Sequence, residues 1–318
     1  MIVSVCGYMY SGSSAVMDLL KEYEETHVIS DPEWYLIDQP DGLRDLGQHI
    51  MGTGTYLNTD VAIGRFIDFV ESHDDYERSC NGQFKKLSYE FIDNFITTTW
   101  EGRSSLDYYR LDHFKKCIFK FNNYFMIFLK KVFNVFFPTN LRTMYLHKDS
   151  PEFYSIAQKY IEELIYSTGG SPQKVNVAKH IFATNNPEAD FPFVKDPWAI
   201  VVDRDPRDIF IEGNRDYEMF FPTQDVEKFV LYYKFWRRNP RSNSDRILWM
   251  NFEDLVYNYD FQVGKIEQFL NISKHFDGNK YFDPNKSKNN TRLYVDNKQY
   301  RKEINYIEKE LKEYLWTE

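Results

Sequence analysis

The chain opens on an apolar run, Ile2-Val3-Ser4-Val5-Cys6, which leads into Gly7-Tyr8-Met9-Tyr10-Ser11-Gly12-Ser13-Ser14. Ala15, Val16, Leu19, Leu20 and Tyr23 follow, all on one face at helical spacing. A short buried strand, a loop of glycines and hydroxyls, and a helix starting at once leave few folds open. The loop aims backbone N–H groups and the positive end of the new helix at one point, which makes an anion cradle. An α/β fold with a parallel sheet is the natural host for such a unit.

Gly7 and Gly12 keep the glycine spacing of a nucleoside-triphosphate phosphate loop, but Ser13 and Ser14 stand where that loop has Lys and Ser/Thr. Without the lysine that meets the β and γ phosphates, an ordinary kinase or ATPase is disfavoured, and a hydroxyl-rich phosphate loop is what remains.

With 318 residues, 42% of them hydrophobic, the chain can bury a substantial core as one large domain or two small ones. A formal net charge of −9 argues against an extended nucleic-acid surface while leaving room for local basic clusters. The three cysteines, Cys6, Cys80 and Cys117, have no metal-ligand spacing and no even-numbered disulfide framework, so a reducing, cytoplasmic setting is expected. The seven histidines form no HxxxH pair or Cys/His array, and no metal is expected. The first apolar run lacks a basic leader, so it does not read as a signal peptide. Phe119 to Phe137 is apolar but broken by lysines and asparagines, so no membrane span is expected there.

After the first helix, His27 to Ser30 reads as a second strand ending at Asp31-Pro32-Glu33-Trp34. Glu33 is thereby expected at the mouth of a strand beside the one that feeds the loop, partly desolvated and with its carboxyl pKa raised. From Thr59 to Gly169 the pattern turns helical, with candidates at Val61 to His73, Leu87 to Trp100, Leu106 to Phe119, Phe125 to Phe137 and Ser150 to Tyr166. We read residues 59–169 as a helical insertion or lid within one domain spanning 1–318, packed on the sheet.

Strand patterns resume at Lys174 to Ala178, followed by Lys179-His180, and at Ala199 to Asp203, followed by Arg204-Asp205-Pro206-Arg207-Asp208. An arginine at a strand end, with proline opening the next helix, suits a phosphate grip. A helix over Thr223 to Arg238, a strand at Arg246 to Met250 and Phe252-Glu253-Asp254-Leu255-Val256 come next. A polar basic loop then runs from Phe282 to Arg292, and an amphipathic helix over Gln299 to Trp316 ends the chain.

In this order the segments resemble the sulfotransferases that use 3′-phosphoadenosine 5′-phosphosulfate (PAPS). Tyr10-Ser11-Gly12-Ser13-Ser14 is similar to that family's 5′-phosphosulfate loop, and Val201 to Asp208 to its 3′-phosphate strand and helix. Phe252 to Val256, with Lys265-Ile266 and Phe269-Leu270, resembles the segment before its C-terminal helix. The basic loop with Lys286, Lys288 and Arg292 resembles the loop that closes over the nucleotide.

The resemblance implies a P-loop-like three-layer α/β sandwich around a mainly parallel sheet, with the large helical insertion. It also implies single-step sulfuryl transfer from PAPS to an acceptor hydroxyl, without a metal, leaving adenosine 3′,5′-bisphosphate. The chain's own residues point to a carbohydrate acceptor first, because a carboxylate at a strand end and many Tyr and Trp residues suit polyols, and to a sterol or other lipid alcohol second. Tyr10, Ser11, Gly12, Ser13, Ser14, Arg204, Lys286, Lys288 and Arg292 are the implied nucleotide residues.

Tyr10 departs from the Lys or Arg that commonly begins the family's loop, which leaves Lys179, His180, Lys286 and Lys288 as replacement cations. Where many members offer the 3′-phosphate a serine, this chain has Glu212, a carboxylate that would repel the phosphate, so the second 3′ ligand is expected from elsewhere or Glu212 to point away. Glu33 and His180 are the open choices for the general base, with Glu33 preferred. The competing readings are a nucleoside or small-molecule kinase with an atypical loop and a nucleotide-binding regulatory module.

Overall fold

The computed structural model describes residues 1–52, 55–134, 141–148, 150–215, 220–273 and 280–317. Among them are seven strands: β1 (Ile2–Gly7), β2 (Thr26–Ile29), β3 (Ile96–Gly102), β4 (Arg142–His147), β5 (Val175–Lys179), β6 (Pro197–Asp203) and β7 (Ile247–Asn251). Five of these form one sheet in the order β2-β5-β1-β6-β7, with every pairing parallel. All six residues of β1 are buried, as expected for a central parallel strand covered on both faces.

The period-two alternation of the strands sorts their side chains between two cores. Val3, Val5, Ile200 and Val202 face a cluster closed by Val16, Leu19, Leu255 and Ile266, so the helices Ser13–Leu20, Phe252–Tyr257 and Tyr259–Leu270 cover that side. Ile2, Cys6, Ala199 and Val201 face the other cluster, filled by Phe66, Phe91, Phe153 and Tyr160 from the helices Tyr56–Ser72, Phe84–Asp93 and Phe153–Ser167. The result is the expected three-layer α/β sandwich. A third cluster joins the helices Pro206–Arg215, Val226–Trp236 and Arg301–Glu310 through Ile209, Phe229, Tyr233 and Ile307.

The segment between β2 and β5 is mostly helical and shares its core with the sheet, but two details differ from expectation. The span Leu87 to Trp100 is not one helix: a helix ends at Asp93, and Ile96–Gly102 pairs antiparallel with Arg142–His147. The β-branched run Ile96 to Thr99 wins there over the apolar spacing that precedes it. The expected helices Leu106 to Phe119 and Phe125 to Phe137 are instead a short helix, Ser105–Arg110, and one long helix, His113–Phe133. The last expected residues, from 135 on, lie outside the described ones.

The strand order also corrects the placement of β2. It lies at the sheet edge against β5, with β5 between it and β1. Residues at the end of β5, and not those after β2, are therefore the immediate neighbours of the glycine loop on that side.

Candidate active site

The carboxyl ends of β1, β5 and β6 lie side by side, at the point where the chain passes from one side of β1 to the other. Open parallel sheets hold ligands there. The loop after β1 takes left-handed backbone at Tyr10 (φ 57°) and at Gly12 (φ 90°). A Cβ on Gly12 would lie 2.5 Å from the ring of Phe252, so only glycine fits at this turn. The helix Ser13–Leu20 starts immediately after it, and its first N–H groups, at Ser13 and Ser14, have no acceptor within the helix. Ser11 is buried, and its Oγ has no hydrogen-bond partner.

Lys179 closes β5 and brings its ammonium to this loop, donating to Ser14 Oγ at 3.2 Å and pairing with Glu33. Of the four cations considered as replacements for the one missing at Tyr10, Lys179 is the one bonded to the loop. The Tyr10 side chain instead packs against Phe221, with ring centroids 5.7 Å apart.

His180 follows with a left-handed φ of 61° that ends the strand. Its imidazole is buried and stacks on Tyr35 at 5.0 Å, with Nε2 4.0 Å from Glu33 Oε1. Burial pulls its pKa down to about 4; Glu33 opposes that shift and the charge of Lys179 adds to it. His180 is thus neutral at physiological pH.

Glu33 behaves opposite to the expected rise. Burial does push its carboxyl up, but hydrogen bonds from Lys179 and Tyr35, with the charge of Lys179, outweigh burial and hold it below its ordinary value. Tyr35 donates to its Oε2 at 2.6 Å.

On the β6 side, Arg204 is buried and donates Nη1 to the Tyr10 carbonyl at 2.7 Å and Nη2 to Glu212 Oε2 at 3.0 Å and to the Asn290 carbonyl. Its Nε has no partner, and its guanidinium lies 5.4 Å from the Phe252 ring centroid. Glu212 therefore does not point away. Arg207 is a structural residue: it forks onto Asp205, reaches Glu308 at 2.8 Å and stacks on Tyr294 at 3.5 Å. Glu253 braces the turn by accepting from the Asp205 N–H at 2.9 Å, and burial pushes its carboxyl up to about 8.

A groove of about 430 Å³ runs along the loop from Tyr10, Gly12 and Ser14 to Arg204, Phe252 and Lys286. The expected basic loop contributes unevenly to it. Residues Pro284–Ser287 and Lys288–Asn290 form short helical turns. Lys286 lines the groove, whereas Lys288 lines a different hollow and donates to Asn285. Arg292 stacks on Tyr257 and Trp316, and its backbone N–H is held by Asp208.

Sequence reasoning missed a second cavity on the other side of the loop. It measures about 330 Å³ and is lined by Gly7, Tyr8 and His180 together with Phe221, Tyr232 and Trp236. Arg237 also reaches it, held by Asp203 at 2.6 Å and sandwiched between Tyr8 at 3.7 Å and Tyr233 at 3.5 Å. The signal was present as the helical stripe Phe229, Tyr232, Tyr233 and Trp236, indistinguishable in sequence from an ordinary core face.

No family model and no curated protein sequence matches the chain. Its outline is similar to a sulfotransferase domain from the curacin biosynthetic pathway, at 13% identity and TM-score 0.44 over 98% of this chain and 97% of that one. A sulfotransferase domain from the Synechococcus PCC 7002 olefin synthase gives 16% and 0.42 over 97% and 93%. Retinol dehydratase, in complex with androsterone and inactive cofactor PAP, gives 11% and 0.30 over 95% and 69%. At these values any functional reading rests on the chain's own residues.

Proposed function

We propose that the protein is a sulfotransferase that moves a sulfuryl group from PAPS to the hydroxyl of a small acceptor. One observation carries the reading: a single glycine loop separates a polar groove from an apolar pocket, and of the consecutive residues Lys179 and His180 the first bonds the loop at Ser14, which lines the groove, while the second lines the pocket. The groove fits an anionic nucleotide, because the turn at Gly12 brings the start of the helix Ser13–Leu20 to it, Arg204 keeps an unsatisfied Nε, Lys286 lines it and Lys179 adds charge at Ser14. Bound PAPS would supply the sulfuryl group and leave as adenosine 3′,5′-bisphosphate. The first N–H groups of the helix Ser13–Leu20 and the Lys179 ammonium stabilise charge at the 5′ end, and Arg204 holds the 3′ end. His180, neutral and lining the pocket, takes the acceptor proton. Glu33 holds Lys179 and stabilises the imidazolium that results.

The pocket favours an apolar acceptor, an alcohol or phenol, over the carbohydrate first expected. Its walls are mostly aromatic, with polar groups only at a few points such as Asp38, Thr184 and Arg237, so a polyol would leave most of its hydroxyls there without partners.

Adenosine 3′,5′-bisphosphate without magnesium should raise the melting temperature, and labelled PAPS should transfer to apolar alcohols or phenols in a mixed acceptor panel. Stabilisation by magnesium ATP alone would make the protein a kinase. Nucleotide binding without transfer to any acceptor class would leave a regulatory module.

The pH profile gives a second test. Protonation inactivates a base, and burial has lowered the pKa of His180, so the acid limb of kcat/KM should fall near pH 4 and not near 6.5. The plateau should hold down to about pH 5. Half-loss at 6.5, the ordinary imidazole value, would mean that His180 is not desolvated in the working enzyme, and an acid limb unchanged in His180→Asn would remove it as the base.

A further inference from the structure

The long helix His113–Phe133 carries an apolar stripe on the wrong side. Phe114, Ile118, Phe121, Phe125, Phe128 and Val132 recur at alternating steps of four and three, which places them on one face. All are exposed, from 44% at Ile118 to 74% at Phe114, while Met126, on the opposite face, is buried. The helix has five lysines and no Asp or Glu within it, in a chain of net charge −9. Lys120 and Lys131, eleven residues apart, line up along one side of the stripe, and Lys115 pairs with Asp112 at the helix cap. Among those residues no helix is long and apolar enough to cross a membrane.

We propose that this helix seats the protein on the surface of an anionic phospholipid bilayer, lying in the interface with the phenylalanine stripe in the acyl boundary and the lysines at the headgroups. A high-moment helix with aromatic residues on one face and lysines beside them is suited to that plane. Charge selects the occupant. A second copy of the chain could cover the same stripe, but pairing two such helices would bring lysines against lysines with no carboxylate of the helix to meet them. Anionic headgroups supply the missing counter-charge. The inference stands independently of the proposed transfer reaction.

The test is co-sedimentation of the full chain with phosphatidylcholine vesicles, with and without phosphatidylserine. Binding should be at least about tenfold stronger to the anionic vesicles and should collapse in high salt. The double variant Phe121→Ser/Phe125→Ser should abolish it with an unchanged melting temperature, since both side chains are exposed. Lys120→Gln/Lys131→Gln should weaken it roughly tenfold or more, each lysine near a charged surface being worth about fivefold. Equal partitioning to both vesicle types, or none to either, overturns the proposal. So does a dimer in solution that the phenylalanine variants dissociate, because it would assign the stripe to a second copy.

Discussion

His180→Asn is expected to lower kcat by about a hundredfold or more while leaving the affinity for adenosine 3′,5′-bisphosphate nearly unchanged. The imidazole lines the aromatic pocket and not the groove, so its loss removes the proton acceptor without touching the nucleotide contacts. Glu33→Gln is the paired measurement. Its carboxylate is held below its ordinary pKa, bonded to Tyr35 and paired with Lys179, which makes it a weak base with its proton-accepting oxygens already engaged. The amide keeps the shape and removes the charge that supports protonated His180, so the loss should be smaller, about tenfold, and the acid limb of the pH profile should move lower still. Near-complete loss in Glu33→Gln with activity retained in His180→Asn would transfer the base role to Glu33. The pH limb distinguishes the two cases even if both variants are slow.

Local patterns carried those parts of the site that local geometry builds. The strand, glycine turn and helix over residues 2–20 were legible because alternation, a left-handed glycine and an apolar helical face are written within a few residues of one another. The same holds for the β6 end, where Arg204 precedes Pro206 at a helix start. What depended on strand order was not legible. Nothing near Glu33 in sequence shows that β5 intervenes between β2 and β1, so the residue at the loop is Lys179 and the burial expected to raise the Glu33 pKa is overridden by its neighbours. The aromatic stripe from Phe229 to Trp236 was periodic but silent on whether it faced a core or a cavity. Its role emerged only once the loop after β1 stood opposite it. The stripe on His113–Phe133 poses the same ambiguity with the opposite outcome, since there the apolar face meets solvent.

Arg204 and Glu212 should respond in opposite directions when nucleotide affinity is measured. Arg204→Ala removes a buried guanidinium that faces the groove, and truncating a buried charge that grips a phosphate costs about 2 to 5 kcal/mol, roughly thirtyfold to several-thousandfold in Kd. It also unties Tyr10 from Asn290, whose carbonyls Arg204 joins, so the free variant should melt lower as well. Arg204→Lys separates these effects, because an ammonium keeps the charge but cannot span three acceptors at once. Glu212→Gln should tighten binding, by roughly tenfold. In the free protein its carboxylate occupies Arg204 at 3.0 Å, so an incoming phosphate must displace one negative charge and tolerate it nearby. The neutral amide lifts both penalties while preserving the side-chain volume. Titration calorimetry on the folded variants decides the matter. Unchanged affinity in Arg204→Ala would move the 3′-phosphate elsewhere, and weaker binding in Glu212→Gln would mean that the carboxylate aims Arg204 at the phosphate and does not compete with it.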